Sequence, residues 1–274
     1  MAIITITRGL HSGGEELAVS LAEKLGAKCY SGEVLSEAAK AYNVPETKVS
    51  QVFETQPSFW ERMTESRRVF LAYIQATLAE WAKGDNLVYH GNAGQELLRE
   101  VPHVLKVRLM YPIPFRVQRI VEQFGCDKEQ AERQVEEIDL NRTKRMQYMF
   151  NTDWRDPSRY DLVLRMDKIT PDAAQEIILS LVKRPEFQLD EQKRVRFQDF
   201  YLKTQIYAQL ATMLVGRLSL ITVTVNEGVV RLEGTLTSHE SLVEQLVEQV
   251  ENMEGVKAVQ NEIVVGLVYH EWNV

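Results

Sequence analysis

The segment IITITRGLHSGGEELAVSLAEKLG, residues 3–26, limits what this chain can fold into more than any other stretch. Residues 3–7, IITIT, are β-branched throughout and offer no polar face. Such a strand suits the centre of a parallel sheet covered on both sides. The glycine-rich turn RGLHSGG follows. After it, Leu17, Leu21 and Leu25 recur at helical spacing with Ala18 and Ala22 beside them, and Gly26 ends the helix. Strand, glycine turn and helix in that order form the phosphate-binding opening of many α/β proteins. Backbone N–H groups there converge on an anion, and the helix aims its positive end at the same point.

The rest of the chain continues the alternation. Residues 27–30, 86–90, 103–111 and 160–166 read as strands. Residues 33–83 read as mostly helical with breaks at Pro45 and Pro57; helices follow at 114–125, 128–150 and 173–182. About five strands alternating with helices predict a parallel sheet with right-handed crossovers over residues 1–184. Composition then turns polar. Residues 185–197 read as a linker or the lead-in to a helix. Beyond them, ITVTV and VVRLEG flank the turn Asn226–Gly228 as a hairpin, followed by an amphipathic helix and a last strand. That makes a small α+β unit over residues 198–267, which needs packing against the first unit or a partner. The tail, residues 268–274, carries aromatics that suit docking on the body or an interface.

Bulk properties exclude several classes. A formal net charge of -7 argues against a nucleic-acid partner. The two cysteines, Cys29 and Cys126, fit neither a metal nor a disulfide pattern, and no metal-ligand cluster is expected. No secretory leader and no run of about 18 apolar residues is present, so a cytoplasmic protein is expected.

Gly9 and Gly14 have the spacing of G-x-x-x-x-G-K-[S/T], and Arg8, His11, Ser12 and Gly13 complete the phosphate-binding loop. Where that pattern places Lys and Ser/Thr, this chain has Glu15 and Glu16. Two carboxylates suit the first turn of a helix. Toward an anion they are unfavourable: a unit charge pair about 4 Å apart at an effective dielectric near 20 is worth roughly 4 kcal/mol. Arg8 and His11 offer compensating positive charge.

TRGLHSGGEELAVSLAEKLG resembles the opening of the cytidylate kinase-like family of P-loop nucleoside-monophosphate kinases. YSGEVLSEAA (30–39), NLVYHGNAGQELL (86–98), VLKVRLMYPIPFRVQRI (104–120) and NRTKRMQYMFNTDWRDPSRYDLVLRMDKITPDAA (141–174) continue the resemblance. It implies a P-loop kinase fold, ATP and Mg²⁺ as cosubstrate and cofactor if the chain is active, and transfer of phosphate to a CMP- or dCMP-like acceptor. Carried over residue by residue, it puts the acceptor near Ser31, Gly32, Asn92 and Gly94. The transferring group would lie under Arg116, Arg119, Arg142 and Arg145. The family's pattern has Arg at position 15, Arg at position 92 and, in cytidylate kinases, Asp at position 93, where this chain has Glu15, Asn92 and Ala93. A catalytically degenerate pseudokinase, acting as sensor or scaffold, is the alternative reading. Arg142 and Arg145 also follow a run of acidic residues, so they read equally as part of a salt-bridged helix. Residues 221–265 resemble a BON domain, which implies a protein or lipid partner and no catalytic residues. Another phosphorylated small molecule as ligand, and a homo-oligomer, both stay open.

Overall fold

The computed structural model describes residues 2–9, 14–54, 66–91, 93–214, 216–237 and 240–266. Of the residues singled out above, His11, Ser12, Gly13, Asn92, Pro57 and the tail 268–274 lie outside the described residues.

Five parallel strands form the main sheet: β1 (Ala2–Arg8), β2 (Lys28–Tyr30), β3 (Asn86–His90), β4 (Val104–Met110) and β5 (Leu162–Arg165), in the order β2-β3-β1-β4-β5. β1 is central, with Ile3 in register with Leu87 on one side and Val104 on the other. Its β-branched run is explained by that position. Ala2, Ile4 and Ile6 point into one core with Leu17, Leu21 and Ile178, while Ile3 points into the other. The polar members of the strand, Thr5 and Thr7, are also buried, and the Thr7 hydroxyl donates to Gln95 Oε1 at 2.8 Å.

α1 (Gly14–Leu25) and α8 (Pro171–Val182) cover the face of Ile4 and Ile6. The opposite face carries α2 (Glu33–Ala41), α3 (Glu46–Glu54), α4 (Ser66–Ala82) and the short α5 (Gly94–Leu97). α6 (Ile113–Phe124) and α7 (Lys128–Phe150) pack on each other through Val117, Ile120, Ala131 and Val135. The Asp127 carboxylate caps α7 by accepting from Gln130 N at 2.7 Å. The helix stop expected at Gly26 is realised locally. Gly26 and Gly125 both take positive φ after their helices.

The C-terminal unit is a three-stranded sheet, β6 (Ile221–Asn226), β7 (Val229–Thr237) and β8 (Ala258–Gly266), with α10 (Glu240–Glu251) between β7 and β8. β6 and β7 are antiparallel; β7 and β8 are parallel. Glu227 and Gly228 at the hairpin tip both have positive φ, as a two-residue turn of matching twist requires. Asp199 caps that tip, accepting from Glu227 N and Gly228 N at 2.8 and 2.9 Å.

Asp199 belongs to α9 (Glu191–Met213), the longest element of the C-terminal half. α9 takes up the second half of the stretch read as a linker, and Phe197 within it is already buried. It also reaches the first unit. Gln205 Nε2 donates to Ala76 O at 3.0 Å, Tyr201 Oη to Glu80 Oε2 at 2.5 Å, and Lys203 pairs with Glu100 at 3.0 Å. One hydrophobic core runs from Ile74 and Leu78 through Phe200 and Ile206 to Val223 and Leu232. Among the described residues no helix is long and apolar enough to cross a membrane.

Candidate active site

The site is assembled at the carboxyl end of β1, where Arg8 and Gly9 leave the sheet. Gly14 opens α1 in close contact with them. A methyl group on Gly14 would lie 2.7 Å from Arg8 Cδ and 3.0 Å from Leu109 Cδ1. Only glycine lets the Arg8 side chain cross the helix start at that distance. Arg8 then turns to Glu15, with Nη2 3.3 Å from Oε2. The Glu15 side chain is 64 % exposed, so its carboxylate lies toward solvent and lends Arg8 a partner. Glu16 is exposed in the same turn.

Two further arginines close on the same backbone. Arg116, on α6, is buried and donates to both oxygens of Asp139 on α7, at 2.7 and 2.9 Å. Its guanidinium lies against Gly9, whose Cβ, if it had one, would sit 3.1 Å from Arg116 Nε. Arg142, also buried, donates to the Arg8 carbonyl at 2.6 Å and stacks on the Trp154 ring at 4.4 Å. Burial brings its pKa down to about 10, so it stays charged at neutral pH. Arg108, projecting from β4, lies over the same ring at 4.9 Å and donates to Arg155 O at 2.5 Å. Trp154 is fixed in turn by Nε1 donating to Thr143 Oγ1 at 3.1 Å, and by Tyr160 Oη donating to its carbonyl at 2.7 Å.

The Nε atoms of Arg8, Arg108, Arg116 and Arg142 are buried and find no acceptor among the described residues. A buried donor without a partner is costly. Four of them cluster near the carboxyl end of β1. A cleft of about 350 Å³ adjoins Arg108 and Arg116, bounded also by Gly9, Asp139, Trp154, Tyr111 and the ends of β4 and β5.

The predicted residues are thus divided. Arg8, Gly9, Gly14, Arg116 and Arg142 come together. Arg119 is exposed on α6; burial pushes the Tyr111 hydroxyl up, and the Arg119 charge opposes that in part. Arg145 is half-buried on α7. Ser31 and Gly32 begin α2, where the Glu33 carboxylate accepts from Ser31 N at 2.6 Å and from its hydroxyl at 3.2 Å. Those bonds hold Glu33 ionised below the usual carboxylate range, although burial opposes them. Gly94 is buried, with a would-be Cβ 2.6 Å from the Tyr89 ring and 3.2 Å from Thr5 Cβ. It lets α5 approach the sheet and offers no open surface of its own. Asp153 and Asp156 act in their loop, accepting from Arg155 N and Ser158 N at 2.9 Å each.

Sequence reasoning missed Asp139, Arg108 and Trp154. Arg108 carries a faint signal, since it alternates with Lys106 and Met110 on a strand whose other residues are buried.

Fold and site together define an α/β protein of the P-loop kinase class, built around an arginine-lined strand-to-helix turn. The chain belongs to the cytidylate kinase-like family, which matches residues 3–168; residues 198–266 match the BON domain. It thereby falls in a class of nucleotide-binding, kinase-like proteins. A cytidylate kinase of Thermococcus sibiricus is 27% identical over 181 residues, covering 66% of this chain and 87% of that protein. One of Methanopyrus kandleri is 27% identical over 189 residues, covering 66% and 92%. Among solved structures, a protein of Eubacterium ventriosum superposes with a TM-score of 0.51 at 20% identity, over 66% of this chain and 97% of that one. That likeness shows the shared fold.

Proposed function

We propose that this chain binds a nucleoside triphosphate on residues 8–16 and passes its terminal phosphoryl group to a nucleoside monophosphate, with a pyrimidine acceptor such as CMP or dCMP. The observation that carries the reading is the set of buried, unspent Nε–H donors of Arg8, Arg108, Arg116 and Arg142 around Gly9. Phosphoryl transfer asks the protein mainly for positioning and for positive charge around the transferring group. Here the bond from the terminal phosphorus to the bridging oxygen breaks as a bond to the acceptor's phosphate oxygen forms, giving two diphosphates. An acceptor that is already anionic needs no general base.

Arg116 and Arg142 have distinct parts. Arg116 keeps Nε free while Asp139 holds its other two nitrogens, which fixes the guanidinium plane beside Gly9. Arg142 anchors the Arg8 carbonyl and shares the Trp154 stack with Arg108, so the lid helix α7 and the loop after it move as one with the end of β1. The acceptor would lie toward Ser31 and Gly32 at the start of α2. Mg²⁺ would enter with the nucleotide, whose phosphates supply most of its ligands.

A second reading draws on the Arg8–Glu15 pair, which occupies one loop cation with a carboxylate. In it the chain keeps the fold and the pocket as a nucleotide sensor whose output is the BON domain and its lipid or protein partner. Calorimetry with ATP and Mg²⁺, followed by a coupled turnover assay with CMP, dCMP, UMP and AMP, separates the two. Binding with turnover of a pyrimidine acceptor is expected. Binding with no turnover on any acceptor leaves the sensor, and absence of binding removes both.

A further inference from the structure

The seam between the two units holds a second cleft, distinct from the one at β1. α4 and the end of α7 form one wall and α9 with the start of β6 the other, enclosing a cleft of about 370 Å³. That volume is in the range of small-molecule sites. Arg67 and Arg68 stand on one wall; Tyr207 and Thr222 stand on the other, with Leu71 and Ile221 among the apolar lining. No carboxylate lines the cleft among the described residues, although the chain as a whole carries a net charge of -7. Two arginines thus face a cleft that no carboxylate lines among the described residues.

The groups are also prepared. Arg67 is half-buried, its guanidinium 4.7 Å over the Tyr148 ring and donating to the Tyr148 carbonyl. That stack fixes the plane and leaves further N–H groups for a ligand. Arg68 is exposed and makes no ion pair among the described residues. The Tyr207 hydroxyl accepts from Val223 N at 3.0 Å, so its own proton remains available for donation across the cleft.

We propose that this seam cleft binds a small phosphorylated organic anion, its phosphate held by Arg67 and Arg68 and its carbon part by the Leu71 and Ile221 side. A planar guanidinium pair suits a phosphate better than a carboxylate-poor pocket would suit any cation. Because the walls come from both units, occupancy ties them together. The inference goes beyond the nucleotide reading and does not depend on it.

The chemistry has two sources, a free metabolite phosphate or a phosphomonoester lipid headgroup. The full chain is titrated calorimetrically with glycerol 3-phosphate and with dihexanoyl phosphatidic acid. It is also sedimented with phosphatidylcholine vesicles with and without phosphatidic acid. Binding of glycerol 3-phosphate assigns the free source. Binding confined to the acylated compound and to phosphatidic acid vesicles assigns the lipid. Either supports the site, provided that Arg68→Glu, an exposed change that leaves the fold intact, weakens binding at least tenfold and abolishes the ligand-induced rise in melting temperature. Arg67→Lys, which keeps the charge and loses the planar fork, is expected to weaken it less. No binding of any of these probes, or equal affinity in wild type and Arg68→Glu, overturns the proposal.

Discussion

Arg116 and Asp139 meet across α6 and α7 in a two-bonded pair, at 2.7 and 2.9 Å, with the arginine buried and the aspartate about a quarter exposed. The pair has opposite consequences for stability and for ligand affinity. Asp139→Asn keeps one acceptor and removes the charge. It should cost roughly 2 kcal/mol of stability, the order of one charge-assisted hydrogen bond. The same change releases Arg116 toward an anion, so ATP should bind more tightly. Denaturant unfolding and calorimetry on one variant read both; a variant that is less stable and also binds ATP more weakly contradicts the second part.

Glu15 is the plainest test of loop electrostatics. Its exposed carboxylate occupies Arg8 at 3.3 Å. Glu15→Lys frees that arginine and adds a cation at the helix start. Tightening of ATP by about tenfold, which is about 1.4 kcal/mol, is expected. Unchanged affinity would mean that no phosphate approaches this turn.

The glycines assigned to the acceptor side differ sharply. Gly94→Ala drives a methyl group into the Tyr89 ring at 2.6 Å and should cost about 1–3 kcal/mol, as overpacking does. At Gly32 a methyl group meets nothing within 4 Å, and the backbone is already right-handed at φ -69°. Gly32→Ala should therefore leave stability within about 0.5 kcal/mol. Thermal melts of the two variants give the comparison; equal effects would show that the close approach at Gly94 is absent in solution.

Trp154 carries Arg142 on its ring at 4.4 Å and Arg108 at 4.9 Å. Trp154→Phe keeps an aromatic face and loses the bond to Thr143, at a cost of about 1 kcal/mol. Trp154→Ala unseats both arginines and should cost about 3–5 kcal/mol. If nucleotide affinity survives Trp154→Ala undiminished, the two arginines play no part in binding.

His90 ends β3 with Nδ1 unpartnered among the described residues. Burial lowers its pKa, Arg8 lowers it further, and Glu15 and Glu33 oppose them in part. The folded chain thus takes up this proton only below the ordinary histidine value of about 6.5. The unfolded chain takes it up first as pH falls. Stability from His90 is complete above about pH 6.5 and is lost as the pH drops through the window below it. His90→Asn should flatten that part of the melting curve against pH. An imidazole NMR titration with a midpoint at or above 6.5 would reverse the sign.

Much of the fold was legible because its signals are local. The unbroken β-branched run of β1 states its double burial, Leu17 and Leu21 state the face of α1, and Asn226–Gly228 states the hairpin. The site was legible only in part. Arg116 and Arg142 could be picked out by spacing, yet what they hold is tertiary: Asp139 on another helix, and the Arg8 carbonyl at the far end of the unit. Gly94 looks like a member of a phosphate motif in the sequence, whereas its contacts with Tyr89 and Thr5 explain it by packing. The boundary between units was blurred for a similar reason. Residues 191–197 are charged and polar, yet they begin a helix whose apolar side packs into the one core that the two units share.

α9 has a mechanical consequence. It caps the hairpin through Asp199 and grips α4 through Gln205, and α4 backs β3, the strand that leads to His90 and Gly94. Force applied to the three-stranded sheet therefore has a stiff lever to travel along, ending at the strand that is hydrogen-bonded to β1. Cleaving the chain ahead of residue 191 would remove that lever and strip α4 of its covering at once, leaving a bare greasy flank in place of a working half.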